Sequence, residues 1–457
     1  MTLWSPVLSD TGNPRYIEIA EAIRSDIDKG TLSPGDRLPA QRAVAQVLGL
    51  DFSTVSRGYA EAVRRGYIES FVGRGTFVRA IEAETEHPDP RRSSEEDPMM
   101  NMPPEPDDPD LIARMQQGLS HVSANLVPLL RYQSVTGSPH DRDIAIDWMQ
   151  QHGLSHTPDQ LTITPGAHAS LFAILTLLSE PGMTVLCEDL TYPGIRSIAS
   201  RLGIQLEGVA SDEHGILPDA LEERITTLWP SALYLNPTLQ NPTTTTIPPE
   251  RRKEIAAVLR KHDIPLIEDD AYCFVTPEAP VPISHLIPDL GWHIAGLSKA
   301  FGAGLRLAYT TVPRQDLMGQ FSQILRSMSV MTSPLTLALM GRWIEDGTAA
   351  ELQTFIRKAA KERQDLAASI LKNCSFRSDP YAFNLWLTLP PGTSRAELMG
   401  RMATRQIGLM PSDAFAVTYL PLPEAVRVCL GGPTPIRQLK EDLIALNDAV
   451  VRKDWLG

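Results

Sequence analysis

Cysteine is scarce in this sequence. Cys187, Cys273, Cys374 and Cys429 are the only four in 457 residues, and they stand far apart. No pair has the spacing of a metal knuckle and no disulfide framework can be drawn, so structural zinc is not expected; free thiols in a reducing cytoplasm are. Long apolar runs are missing too. No segment reaches the roughly 20 apolar residues of a membrane helix. The start, Met1-Thr2-Leu3-Trp4-Ser5-Pro6, lacks the basic-then-apolar order of a secretory leader, which also points to the cytoplasm. Positive charge is in deficit, with 42 Lys+Arg against 55 Asp+Glu and a net charge of -13. Taken whole, that argues against nucleic acid as a partner. The deficit is local, however. Residues 1–80 carry 10 Lys+Arg against 9 Asp+Glu, whereas residues 81–110 carry 2 against 11. The first 80 residues are therefore near neutral and can present a basic face.

What is present is ordinary for a large core: 42% hydrophobic and 21% charged residues, at a length that suggests two or three domains. Near the start, Tyr16, Ile19, Ala20, Ile23 and Ile27 recur at helical spacing over 14–30, and Gly30 is a stop. After a turn at 32–38, Pro39 opens a short helix with Val44, Val47 and Leu48 on its apolar face, ended by Gly49. Asp51 or Ser53 caps a third helix carrying Val55, Tyr59 and Val63. Two extended runs, 67–72 and 76–79, flank Gly73-Arg74-Gly75. The order is helix, turn, helix, then a hairpin with an arginine at its tip.

The run GTLSPGDRLPAQRAVAQVLGLDFSTVSRGYAEAVRRGYIESFVGRGTFV resembles the winged helix-turn-helix DNA-binding domain of the GntR family. The resemblance implies that the third helix enters the major groove of a double-stranded operator. Arg42 would meet phosphate, Ser53, Thr54, Ser56 and Arg57 would line the recognition helix, and Arg74 would reach from the wing. Arg57, Arg64 and Arg65 also fit a merely solvated helix face. Asp51-Phe52 stands where the family usually has Ser-Arg, which removes a customary cationic contact.

Residues 81–110 hold seven prolines and eleven acids and read as an extended, self-repelling linker. From 111 onward helix and strand alternate, as in an α/β domain. Helices are expected over 111–122, 144–151 and 169–178, and strands over 160–164, 184–187, 232–235, 265–268 and 293–295. The polar motifs fall at the C-terminal ends of these strands, where open α/β sheets place ligands. Among them is Gly296-Leu297-Ser298-Lys299-Ala300-Phe301-Gly302-Ala303-Gly304-Leu305-Arg306. A lysine among apolar neighbours sheds its proton more easily and becomes a nucleophile towards aldehydes. Three glycines let backbone approach a flat ligand, and an arginine can clamp a phosphate. Aldehyde, flat ring and phosphate together describe pyridoxal phosphate.

In order and spacing, these motifs resemble fold-type I pyridoxal-phosphate aminotransferases over roughly residues 110–440. The resemblance implies a mainly parallel sheet with helices on both faces and a smaller C-terminal α+β subdomain, spanning 111–457. It implies that Lys299 forms the internal aldimine, Arg306 binds phosphate, and Asp269 pairs with the pyridine nitrogen. Tyr272 and Asn241 would bond the phenolic oxygen, Tyr192 would stack on the ring, and Gly166, Ala167 and His168 would start the phosphate-binding helix. Tyr132 would reach a neighbouring subunit's phosphate, and Arg427 would hold a ligand's carboxylate. The chain departs from the pattern at Gly296, where Ser or Thr is usual, and at Ala303, Ala308, Thr244 and Ala167-His168. Phosphate binding is therefore expected to lean on backbone amides, Arg306 and His168. The two halves together resemble the MocR subgroup of bacterial transcription regulators. That implies a homodimer whose operator binding responds to a small amine or amino acid, or to pyridoxal phosphate itself. An active aminotransferase carrying a DNA-binding domain is the alternative.

Overall fold

A computed structural model describes residues 4–8, 13–33, 35–71, 75–78, 98–417 and 421–451. The chain divides into two compact units, Met1–Glu96 and Asp97–Gly457. Arg74 and residues 81–97 of the expected linker lie outside the described residues.

The first unit is built on helices α1 (Arg15–Asp28), α2 (Gln41–Leu48) and α3 (Phe52–Arg64), followed by the antiparallel hairpin β1 (Ile68–Phe71) and β2 (Gly75–Val78). Ile19, Ile23, Leu38, Val44, Val55, Tyr59, Ile68 and Val78 make its core. Helices α1 and α3 approach closely because position 58 is glycine: a Cβ there would meet the Ile19 side chain at 2.8 Å. Three details differ from expectation. Helix α2 starts at Gln41, two residues after Pro39, because Ala40 keeps an extended backbone at the N-cap (ψ 138°); the Pro39 carbonyl accepts from the Tyr59 hydroxyl at 3.0 Å. Asp51 stands at the N-cap of α3 without a side-chain hydrogen bond. Val47 and Val63, read as apolar-face residues, are 58% and 41% exposed and so add little to the core.

The second unit is organised by a seven-stranded sheet: β3 (Leu161–Thr164), β4 (Thr184–Glu188), β5 (Gln205–Val209), β6 (Ala232–Leu235), β7 (Leu266–Asp269), β8 (Gly291–Gly296) and β9 (Ala308–Thr311). Their spatial order is β3-β9-β8-β7-β6-β4-β5. Strands β4 to β8 run parallel, and β9 is antiparallel to both of its neighbours. Strands β3, β6, β7, β8 and β9 are buried along their whole length, as expected of strands covered on both faces. One face of the sheet packs Val185, Cys187, Tyr234, Ile267, Trp292 and Ile294 against the helices Ala167–Leu178 and Pro193–Leu202. The other packs Leu186, Leu233, Leu235 and Leu266 against Pro218–Leu228 and Pro249–His262.

The C-terminal part forms an antiparallel four-stranded sheet in the order Ser375–Arg377, Asn384–Thr388, Ala425–Cys429, Leu409–Pro411. Its core is shared with the helices Thr348–Ile370, Arg395–Met402 and Ile436–Val451. This is an α+β arrangement. The C-terminal third of the expected linker differs from a spacer. Asn101 is 7% exposed, Pro104 bridges Gly432, and a helix begins at Pro109 with Asp108 accepting from the backbone N–H of Asp110 and Leu111. Proline and acid content describes a segment's own cohesion and not the surface it can lie on, which is why residues 98–110 misread as free chain.

Candidate cofactor site and DNA-recognition face

On the first unit, Ser53 is exposed and Thr54 and Ser56 are half-buried on α3. Arg57 is exposed, and its guanidinium lies 4.2 Å from the centroid of the Tyr16 ring. Arg42 sits on α2 with its guanidinium 5.8 Å from the Phe52 ring. These two arginines are propped on aromatic faces, which orients a cation without neutralising it. Arg64 and Arg65 behave differently. Both pair with Glu61, and Arg65 also reaches Glu21. Hydrogen bonds from Arg64 and then Arg65 hold the Glu61 carboxyl down at about 2. Their charge is committed within the domain, so the cations this face offers to a partner are those nearer the start of α3.

In the second unit, the strand ends deliver a polar cluster. Asp269 closes β7, where the ladder ends and the side chain turns into the crevice. Its Oδ2 accepts from the Tyr234 hydroxyl at 3.0 Å, and its backbone carbonyl accepts from Asn236 Nδ2 at 2.6 Å. Its Oδ1 is buried and has no partner among the described residues. Burial raises the carboxyl to about 6, against the lowering effect of Tyr234. Just beyond β8, Lys299 lies in the short helix Ser298–Phe301. Burial, and then the positive charge of Arg427, push its amine down to about 8. Its Nζ donates to the backbone carbonyl of Asn101.

Arg306 adopts a left-handed backbone conformation, φ 50°, at the end of a one-turn 3-10 helix. That conformation brings its guanidinium over Gly166, where a built Cβ would stand 3.2 Å from Arg306 Nη2. Gly166 has φ 93° and begins the helix Ala167–Leu178. The helix N-terminus with an adjacent guanidinium is a cradle for an anion. His168 is exposed in the first turn of that helix; partial burial and then the charge of Arg306 lower its basicity. Gly296 leaves room: a Cβ there would meet only Ala167 Cβ and Ala271 Cα, both at 3.8 Å.

Tyr272 is buried, and its hydroxyl accepts from Asn101 Nδ2 at 2.9 Å. Asn241 accepts at Oδ1 from Arg427 Nη1 at 2.8 Å, which leaves its amide N–H groups to serve a ligand oxygen. Arg427 is 3% exposed in its strand, 5.1 Å from the Phe415 ring, and its Nη2 donates to the Met99 carbonyl at 2.5 Å. Tyr192 is half-buried at the start of Pro193–Leu202; burial first, then the charge of Asp269, raises its hydroxyl. Tyr132 is 86% exposed. The structure thus brings Lys299, Asp269, Tyr272, Asn241, Tyr192 and Arg427 together, with Gly166, Arg306 and His168 at one end.

Sequence reading passed over Asn101, Asn384, Tyr234 and Asn236. Asn384 donates to the Pro242 carbonyl and accepts from Asn101, both at 2.9 Å. Tyr234 carried a signal that was available: a hydroxyl in the middle of an otherwise apolar strand needs a partner. Asn101 carried none, lying in a proline-rich acidic stretch.

The chemistry of this donor set fits pyridoxal phosphate. A lone buried carboxylate oxygen suits a protonated ring nitrogen, the cradle suits a phosphate, and a weakly basic lysine suits an aldehyde. A fold of parallel strands with ligand groups at their C-terminal ends, joined to a winged helix-turn-helix, defines a two-part protein. Residues 104–441 match the family model described as aminotransferase class I and II, and residues 15–78 match that of bacterial regulatory proteins, gntR family. The chain belongs to the class I and II aminotransferase family and carries a gntR-type helix-turn-helix ahead of that domain.

Among curated relatives, it is 27% identical over 447 residues to the uncharacterized HTH-type transcriptional regulator YdeF of Bacillus subtilis, covering 97% of this chain and 96% of that protein. It is 26% identical over 325 residues to the mitochondrial kynurenine/alpha-aminoadipate aminotransferase of Mus musculus, covering 63% and 75%. Among solved structures, LysN, an alpha-aminoadipate aminotransferase from Thermus thermophilus, superposes with a TM-score of 0.69 at 21% identity, covering 77% of this chain and 90% of LysN. No helix among the described residues is long and apolar enough to cross a membrane.

Proposed function

We propose that this protein is a pyridoxal-phosphate-dependent transcription regulator of the MocR type, acting in the cytoplasm, whose hold on a DNA operator responds to a small amine or amino acid. The observation that carries it is the joining, in one chain, of a Lys299–Asp269–Arg306 site to a helix-turn-helix with exposed Arg42 on α2 and exposed Arg57 on α3. The similarity to YdeF along nearly the full length of both chains supports regulation over metabolism.

When bound, the cofactor supplies an aldehyde carbon that primary amines capture. The protein's part is positional. Arg306, the Gly166 backbone and His168 would hold phosphate. Asp269 would keep a proton on the ring nitrogen, steadied by Tyr234 and Asn236. Tyr272 and the Asn241 amide would donate to the phenolic oxygen, and Tyr192 would cover the ring. Arg427, fixed by Asn241 and Phe415, would receive a carboxylate. Serine and threonine hydroxyls on α3 would position DNA phosphates while Arg57 reads base edges.

A homodimer is part of this reading. Leu126, Val127, Leu130 and Tyr132 are 44%, 68%, 67% and 86% exposed. Four exposed apolar or aromatic side chains within seven residues suit an interface with a second copy.

The test is direct. Borohydride reduction of the cofactor-loaded protein is expected to modify Lys299 and no other lysine, and Lys299→Ala is expected to abolish both the adduct and the response of operator binding to added amines. An adduct elsewhere, or an unchanged amine response in Lys299→Ala, refutes the proposal. Transfer of the amino group to a keto acid at ordinary enzymatic rates would favour the active aminotransferase instead. A response of DNA binding to the cofactor alone would make pyridoxal phosphate the effector.

A further inference from the structure

The stretch by which the chain enters the second unit lies across the ligand groups. The Met99 carbonyl accepts from Arg427 Nη2 at 2.5 Å and from Cys429 Sγ at 3.7 Å. The Asn101 carbonyl accepts from Lys299 Nζ. The Asn101 amide donates to the Tyr272 hydroxyl and to Asn384 Oδ1, both at 2.9 Å, and the Pro103 carbonyl accepts from the Gly432 N–H at 3.1 Å. The arginine assigned to a ligand carboxylate and the lysine assigned to the cofactor thus both donate to backbone carbonyls of residues 99–101.

This is a built seat. Gly408 admits the Pro98 carbonyl, which a Cβ would meet at 1.7 Å, and Gly431 admits the Met102 carbonyl, which a Cβ would meet at 1.8 Å. Side chains at either position would close it. The seat is also incompletely satisfied, since Asn101 Oδ1 and Arg427 Nε are buried without partners among the described residues. A buried polar atom without a partner is costly, so the seated state is held but not locked.

We propose that residues 98–104 are an internal occupant of the effector site, and that an amino acid displaces them: its carboxylate takes Arg427 from the Met99 carbonyl. A carboxylate outcompetes a neutral carbonyl for a guanidinium because charge-assisted hydrogen bonds are about twice as strong. An amine without a carboxylate leaves Met99 seated on Arg427. The effector class is therefore a compound carrying both groups. Because the displaced strap is continuous with the chain that leads to the DNA-binding unit, its release is the first step of the signal. Only a ligand with different affinity for the seated and released states shifts that balance. The inference rests on the proposed cofactor role of Lys299.

Hydrogen exchange of residues 98–104 in the full-length, cofactor-loaded protein tests it, with L-alanine and ethylamine as probes and the bound cofactor's absorption reporting capture. L-alanine is expected to raise exchange at Met99, Asn101 and Met102 at least five-fold, and ethylamine to leave Met99 protected. Gly431→Ala, which touches neither Lys299 nor Arg427, is expected to show the fast exchange and the ligand-bound operator affinity with no ligand added. Asn101→Ala serves as a second route should that variant not fold, and is expected to bind L-alanine several-fold more tightly. Capture of L-alanine with unchanged exchange at 98–104 overturns the strap while leaving the cofactor reading intact. Failure of the lysine to load cofactor at all overturns both.

Discussion

The DNA-recognition face and the cofactor site are assembled in opposite ways. Arg42, Ser53, Thr54, Ser56 and Arg57 fall within 16 consecutive residues, on short helices whose own periodicity points them outward. The cofactor site gathers residues from Met99 to Arg427, carried by seven or more separate elements. In the first, neutralising an arginine removes one contact to a partner. In the second, each group also tunes its neighbours, since Arg427 depresses Lys299 and Tyr234 restrains Asp269. A surface reader tolerates independent changes; a buried site does not.

That contrast can be broken or sharpened in four ways. The largest effect is expected for Asp269→Asn. Without a carboxylate for the ring nitrogen, cofactor affinity should fall about 30-fold, roughly 2 kcal/mol, measured by titrating apoprotein and following absorbance, with operator affinity of the cofactor-free protein unchanged. A loss below three-fold would mean that Asp269 is a structural partner of Tyr234 only.

The pH response follows in size. Lys299 is depressed from 10.5 to about 8, so the neutral, nucleophilic amine grows as pH rises through 8. Cofactor loading onto apoprotein should accelerate about 15-fold between pH 6.5 and 8 and level off above it. The same sign holds for stability: a buried lysine charged below 8 is a cost that is relieved as pH rises. A loading rate flat over that range would contradict the buried placement of the amine.

Arg57→Ala should weaken operator binding about 10-fold and reduce the salt dependence by about one counterion, while cofactor affinity stays as it was. Arg64→Ala should change binding by less than two-fold, because that charge is already paired with Glu61. Equal losses from the two would show that the Glu61 pair opens on DNA. The smallest effect is expected for Gly296→Ser. Its Cβ meets only ordinary contacts at 3.8 Å, so the hydroxyl should add one phosphate contact and tighten the cofactor about three-fold. A loss would show that the backbone at 296 must itself approach the ligand.

Much of this was legible along the chain. Helix periodicity located α1 and α3, and short apolar runs, Ala232–Leu235 and the Leu266-Ile267 pair, located the buried strands β6 and β7, since both signals arise from neighbours in sequence. The motif residues Lys299, Asp269, Tyr272 and Arg306 were visible because strand ends and tight turns place them locally. Strand β9 and the helices Pro193–Leu202 and Pro249–His262 were passed over, although their patterns were there to read. The misreading of 98–110 has a different origin. Asn101 owes its burial to Gly408 and Gly431, more than 300 residues away, and nothing in its own neighbourhood predicts that.

The sequence by itself determined that there are two parts, one built to meet DNA and one built around a lysine, an aspartate and an arginine suited to an aldehyde, a pyridinium and a phosphate. Residue type and spacing suffice for that, because those chemistries demand particular side chains. Only the tertiary structure decided what those side chains touch: that Arg57 rests on Tyr16, that Tyr132 is exposed, and that Lys299 and Arg427 are held by the carbonyls of Asn101 and Met99. Backbone carbonyls are identical at every position, so which of them occupies a site is settled by packing and steric room.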